Sequence, residues 1–267
     1  GQVHELLTRY GKIDILWFDF SYEHMRGEAW RASDLMKMVR RLQPDILVSD
    51  RLGGDLRKTE PEDYAGDFAG PEQVIPRQGV RSRNGQDVAW ESCITLNNSW
   101  GYNATDMAWK DPGFVIRTLV KCVSKGGNLL INVGPDARGH IPLCSQQIIR
   151  EVGEWLDQNG ASIYGCGPAG LPRPDWGVFT RSGQDLYAHL LEPTVGHLCL
   201  PGLKNCVRSA TRLADGAEVI LTDFWNGPDH HPDEPDDIYM ALGRPVHLTY
   251  QYPDQRDTVV HLPHCSR

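Results

Sequence analysis

Residues 13–19 read I-D-I-L-W-F-D, a short apolar run that stops at the carboxylate of Asp19. Such a run suits a strand buried on both faces of a parallel sheet, with Asp19 at its C-terminal end. In a βα-barrel that end is where chemistry is done; on the run alone, Asp19 serves equally well as the cap of a following helix. More carboxylates follow at comparable places. A second apolar run, 45–48, leads into Ser49, Asp50 and Arg51; the long stretch 52–87 carries Glu60, Glu62, Asp63, Asp67 and Glu72; and Trp90 with Glu91 opens another run. Carboxylates mixed with Trp17, Trp90 and Trp100 suit a sugar, because aromatic faces pack on apolar ring faces while carboxylates and arginine bind hydroxyls. Glycoside hydrolysis needs two carboxyl groups about 5 Å apart for retention of configuration, or about 6.5 to 9.5 Å for inversion. The sequence supplies candidates for the pair without their separation.

The elements that must position these groups alternate. Strand-like runs at 13–18, 45–48, 89–96 and 129–133 are interleaved with helical patterns at 29–43, 112–125 and 145–159. Asp111 before Pro112 and Ser145 are cap candidates, and Gly160 follows the third helix. Alternation of this kind predicts βα units and a parallel sheet. A complete eight-fold barrel takes roughly 250 residues, so the alternating part, residues 1–165, amounts to part of one. Pro168, Pro172 and Pro174 then form a stiff linker, and short alternating runs at 185–191, 197–200, 218–221, 246–250 and 258–262 predict an antiparallel β-sandwich. The expected fold is therefore α/β: a partial (β/α)8-like TIM barrel over residues 1–165, followed by a β-sandwich over 166–267. The chain opens directly in a helical pattern with Gly11 as its C-terminal cap, and reads as entered in the middle.

Composition narrows the partners. The net charge is −8 with lysines and arginines dispersed, which argues against nucleic acid. No apolar run approaches the twenty or so residues of a membrane span. The 7 cysteines contain no C-x-x-C pair and leave an odd one over, which predicts buried free thiols and leans towards a reducing, cytoplasmic compartment, with secretion left open. The acidic, histidine-containing stretch 229–237 carries prolines and reads as a solvated loop; no metal or organic cofactor is expected.

Several motifs occur in a telling order: L-W-F-D at 16–19, R-L-Q-P-D-I at 41–46, S-D-R at 49–51, G-D-F-A-G-P-E-Q at 66–73, W-E-S-C-I-T at 90–95, S-W-G-Y at 99–102, S-K-G-G-N-L-L-I-N-V-G-P-D at 124–136 and G-E-W-L-D-Q-N-G at 153–160. In this order they resemble the α-L-fucosidases of glycoside hydrolase family 29, and the resemblance covers nearly the whole barrel portion. It implies that Asp19 is the nucleophile of a retaining mechanism acting on terminal α-L-fucose. It implies Glu72 as acid/base, with Glu91 as second choice and Glu60 or Glu62 behind. It makes Arg51 the arginine that reaches sugar and nucleophile, Trp17 part of the same floor, and Trp100 the aromatic near the C6 methyl group of fucose.

Two departures stand out: Phe20 where a small residue is frequent, and Ser49 where Asn is common before Asp-Arg. The family's histidines and aromatics that hold the fucose hydroxyls lie upstream of Gly1. A segment or chain N-terminal to this one is thus expected to complete the barrel. The expected substrate is a fucosylated oligosaccharide or glycoconjugate, and a homo-oligomer is compatible with the sequence. The alternative from a different class is a non-catalytic carbohydrate-binding fragment; a retaining glycosidase for another sugar is a third.

Overall fold

The apolar run at residue 13 becomes strand β1 (Ile15–Leu16), which pairs in parallel with β2 (Leu47–Val48), Ile15 opposite Leu47. The computed structural model describes residues 1–19, 22, 24–223, 234–242 and 252–263. Phe20, Cys265, the expected strand 246–250 and residues 229–233 of the acidic stretch lie outside them. The chain forms two compact units, one of Gly1–Ile94 with Gly127–Leu130 and one of Thr95–Gly126 with Ile131–Arg267.

In the first unit, α1 (Gln2–Arg9) and α2 (Ala32–Leu42) pack with β1 and β2 on a core of Leu7, Leu16, Phe18, Met36, Val39, Ile46 and Val48. α2 starts later than its pattern suggests. Residues Gly27–Trp30 form a separate 3-10 turn, and Arg31 at φ 53° breaks the helical path between them. Gln43 ties the start of the unit together: its amide nitrogen donates to the Leu7 and Gly11 carbonyls, and its oxygen accepts the Ile13 N–H at 2.8 Å. One of the carbonyls left over at the end of α1, that of Leu7, is thereby satisfied.

The stretch 52–87, expected to be a long loop, is partly a strand position. Asp67 N–H donates to Val48 O, Asp50 N–H to Phe68 O, Glu91 N–H to Ala69 O and Cys93 N–H to Pro71 O. Parallel bridges join Ser49 to Phe68, Ala69 to Trp90 and Glu72 to Cys93. Residues 67–73 thus run between β2 and β5 (Trp90–Thr95), and Pro71, which has no N–H, keeps the pairing irregular. The hairpin of β3 (Val80–Arg81) and β4 (Asp87–Val88) follows this segment. The part before it, from residue 54 to 65, closes at its neck: a side chain on Gly54 would begin 2.4 Å from Ala65 Cα.

β5 pairs with β6 (Gly127–Asn132). Trp90 is buried, and a Cβ on Gly127 would fall 2.2 Å from its ring. Gly127→Ala is expected to cost about 1–3 kcal/mol, since neither the indole nor the strand can yield that far. The urea midpoint measures it, and an unchanged midpoint would contradict this packing.

The second unit holds α3 (Pro112–Val123), α4 (Leu143–Asn159) and two antiparallel sheets. Asp111 Oδ1 accepts the Phe114 N–H at 2.9 Å, so the expected cap of α3 is in place. α4 begins two residues before Ser145, which is buried inside the helix and is not its cap. One sheet has the order β11 (Thr211–Arg212), β14 (Thr258–Leu262), β9 (Asp185–Leu190), β8 (Gly177–Ser182), β7 (Gly167–Pro168); the other has β10 (Leu198–Leu200), β13 (Ile238–Ala241), β12 (Ile220–Thr222). Period-two alternation sorts their side chains. Phe179, Leu186, Ala188 and Leu190 face a core shared with Leu198, Leu200 and Met240, whereas Val178, Tyr187 and Val259 pack on Ile116, Val120, Val152 and Trp155 of the helices.

A polar network lies within that second layer. His189 Nδ1 is 2.7 Å from Asp257 Oδ2, and its Nε2 is 2.9 Å from Thr180 Oγ1. The Thr180 hydroxyl donates to Ser162 O, so it accepts from Nε2–H, and one proton must also lie between Nδ1 and Asp257. Both ionisable side chains are fully buried, and burial pushes the Asp257 carboxyl up.

Cys93, Cys122, Cys144, Cys166 and Cys199 are free, and burial pushes Cys122 up to about 12. Cys206 is disulfide-bonded, which corrects the expectation of free thiols at that position. Among the described residues no helix is long and apolar enough to cross a membrane, and no group of three or more His, Cys, Asp or Glu is placed to hold a metal.

Candidate active site

Each of three neighbouring strand positions of the first unit carries one charged side chain to a common place. Asp19 follows β1 by three residues, Arg51 follows β2 by three, and Glu72 lies in the 67–73 segment between β2 and β5. Arg51 Nη1 is 3.8 Å from Asp19 Oδ1 and 3.1 Å from Glu72 Oε2. Two oxygens that share one nitrogen at these distances stand at most about 7 Å apart, short of the wide end of the separations used for inversion. Both carboxylates are close to half exposed, while Arg51 is largely covered. The guanidinium lies over the Trp17 ring, 4.8 Å from its centroid, and donates from Nη2 to the Gly70 carbonyl at 2.9 Å. One cation facing two carboxylates leaves a net negative site.

The supports are hydrogen bonds of the backbone next to these groups. Ser49, fully buried, accepts the Phe18 N–H on its hydroxyl at 3.0 Å and so fixes the residue before Asp19. Serine at that position therefore continues the β1–β2 pairing through its side chain. Asp67 accepts the Val48 N–H at 2.7 Å and both receives and fixes Arg40, whose Nη2 lies 2.6 and 2.7 Å from its two oxygens. Arg40 also donates to the Ile46 carbonyl, tying α2 to the strand that delivers Arg51. Sequence reading missed Arg40; its only signal was a basic residue in the last turn of a helix that precedes a strand.

The other candidates fall in different settings. Glu91 is on β5, half-buried, and burial alone pushes its carboxyl up. Asp50 is also pushed up by burial, although Gly70 N–H donates to it at 3.1 Å. Glu62 is taken up by Lys58 and by the Asp55 N–H, which hold it below its usual range. Glu60 is exposed on the same stretch. Trp90 is a core anchor against Gly127. Trp100 belongs to the second unit, where it is 41% exposed and its carbonyl accepts from Asn132 Nδ2 at 2.7 Å.

Paired carboxylates, a shared arginine and an indole floor are the equipment of a glycoside hydrolase. The chain belongs to the alpha-L-fucosidase family, whose model matches residues 1–161. It is 28% identical over 235 residues to an alpha-L-fucosidase of Dictyostelium discoideum, covering 82% of this chain and 48% of that protein. To the tissue alpha-L-fucosidase of Bos taurus it is 31% identical over 208 residues, 74% of this chain and 42% of the relative. Among solved structures, the alpha-L-fucosidase isoenzyme 1 of Paenibacillus thiaminolyticus is 50% identical and superposes with a TM-score of 0.91 over 98% of this chain and 60% of that one. The chain thus spans about half the length of the curated relatives it matches.

Proposed function

We propose that this chain carries the catalytic carboxylates of a retaining exo-α-L-fucosidase acting on fucosylated oligosaccharides or glycoconjugates. The observation that carries the reading is Arg51 held between Asp19 and Glu72, in a chain of the alpha-L-fucosidase family. In this reading Glu72 protonates the departing glycosidic oxygen while Asp19 attacks the anomeric carbon from the opposite face. Departure of the aglycone leaves a fucosyl ester on Asp19. Esterification removes one of the two negative charges, Arg51 then serves Glu72 alone, and Glu72 as carboxylate takes a proton from the water that releases fucose. Trp17 supports Arg51 from below.

The same reading takes the parallel strand positions as part of a barrel over residues 1–165 and the antiparallel sheets as a sandwich over 166–267. A segment N-terminal to this chain is proposed to complete the barrel. In support, Ile15 and Leu47, opposite each other in the β1–β2 pair, are both about half exposed, an open apolar face in a sheet type usually covered on both sides.

Glu91 is the second reading for the acid/base, favoured by its raised proton affinity in a half-buried setting. The two are separated by variants of the full polypeptide. Glu72→Ala is expected to lower kcat/KM for an aryl α-L-fucoside by about 100-fold, and azide should restore turnover while yielding α-L-fucosyl azide. Rescue of Glu91→Ala with Glu72→Ala unaffected would reassign the role.

A further inference from the structure

A cavity of about 760 Å³ borders the candidate site within the first unit. Ala69, Gly70 and Pro71 form one wall; they lead directly into Glu72, and the Gly70 carbonyl is the one that holds Arg51. Asp50, next to Arg51 in the chain, lines the same cavity. A substituent on a sugar seated between Asp19 and Glu72 therefore has this cavity as its neighbour.

The lining is polar and carries no aromatic ring, so it offers no flat face for a neutral sugar to stack on. Four cations reach it. Three are matched: Arg57 by Asp55 at 3.0 Å, Lys58 by Glu62, and Arg81 by Asp87 at 3.0 Å. Arg26 makes no ion pair among the described residues. Its side chain is exposed, and its backbone is held, because Gly27 N–H donates to Leu52 O at 2.7 Å and the Arg26 Cβ fills the space that a side chain on Gly53, at φ +95°, would need. The carboxylate left on the wall, Asp50, is tied to the Gly70 N–H. A guanidinium with no ion pair among the described residues, on an anchored backbone beside cations already balanced, is suited to receive an anion.

We infer that this cavity is a subsite for an acidic aglycone, a sugar bearing a carboxylate or sulfate linked to the fucose, and that Arg26 reads its charge. The inference rests on the fucosidase reading for its position and on Arg26 for its chemistry. The test has two readouts on the full polypeptide. First, equilibrium binding of N-acetylglucosamine 6-sulfate against N-acetylglucosamine, and of glucuronate against glucose, is measured by calorimetry or ligand-observed NMR for wild type and Arg26→Gln. The acidic member of a pair should bind about tenfold more tightly, and the preference should vanish in Arg26→Gln and in about 0.5 M salt. The sulfate and carboxylate arms tell which anion is read. Second, kcat/KM for a neutral aryl α-L-fucoside should be unchanged in Arg26→Gln.

Equal binding of acidic and neutral sugars would overturn the subsite, as would an equal loss of both in Arg26→Gln. Loss of neutral-substrate turnover in that variant would overturn the charge-reading role, because Arg26 would then be serving the catalytic groups. Failure of wild type to hydrolyse any fucoside would instead defeat the fucosidase reading and leave the binding result to judge the cavity by itself.

Discussion

Asp19→Gly is expected to lower kcat/KM for an aryl α-L-fucoside by about 10⁴-fold or more, the scale on which loss of a covalent nucleophile is felt. Three other carboxylates of the first unit are differently engaged: Glu72 is on the far side of Arg51, Glu62 is bound to Lys58, and Asp67 to Arg40. Glycine leaves room for azide where the carboxylate stood. Azide should then attack the anomeric carbon directly and expel the aryloxide, a single displacement that gives β-L-fucosyl azide. The opposite anomer from Glu72→Ala, formed by two displacements, distinguishes the two roles by product structure as well as by rate. Undiminished turnover in Asp19→Gly, or an α-azide product from it, would end the assignment.

The second large effect concerns stability. Asp257→Ala is expected to cost about 3–5 kcal/mol, because His189 would keep its bond to Thr180 but lose the group that shares its other proton, at a fully buried position. Asp257→Asn keeps the shape and removes the titration, so it isolates the pH dependence. The unfolded carboxyl ionises near the ordinary value of about 3.9, whereas burial raises the folded one. Between those two values the folded state binds a proton that the unfolded state lacks. This contribution is therefore fully present below about pH 4 and is lost as pH rises through the raised folded value, at about 1.4 kcal/mol per pH unit of that interval. Urea midpoints of wild type and Asp257→Asn across a pH series measure it. A gap that stays constant, or that moves in favour of wild type as pH rises, would show that Asp257 is ionised in the folded protein.

How much of this was legible beforehand varied with the range of the interactions involved. The run ending at Asp19 announces itself because a buried strand is an uninterrupted apolar word, and Asp111 with Pro112 marks the start of α3 by local bonding alone. Residues 67–73 could not be read that way. Their strand character is imposed by β2 and β5 on either side, while Gly70 and Pro71 carry loop signals, so the segment that delivers Glu72 looked like loop. The carboxylate itself was found only through an ordered set of motifs. The His189–Asp257 pair joins residues 68 apart in the chain, and neither sits in a pattern that betrays burial. Arg26 and Arg57 likewise meet around one cavity only after the 52–66 stretch has folded back.

That stretch pinches shut where Gly54 meets Ala65, and the strand-like segment beyond it is pinned to β2 through Asp67 before Glu72 is reached. What lies inside the pinch is thereby anchored apart from the segment that carries Glu72. On the proposed fucosidase reading, loop exchange or randomisation between the two small residues becomes a route to altering which glycan is accepted while the chemical step keeps its rate: a cassette whose borders the fold itself has drawn.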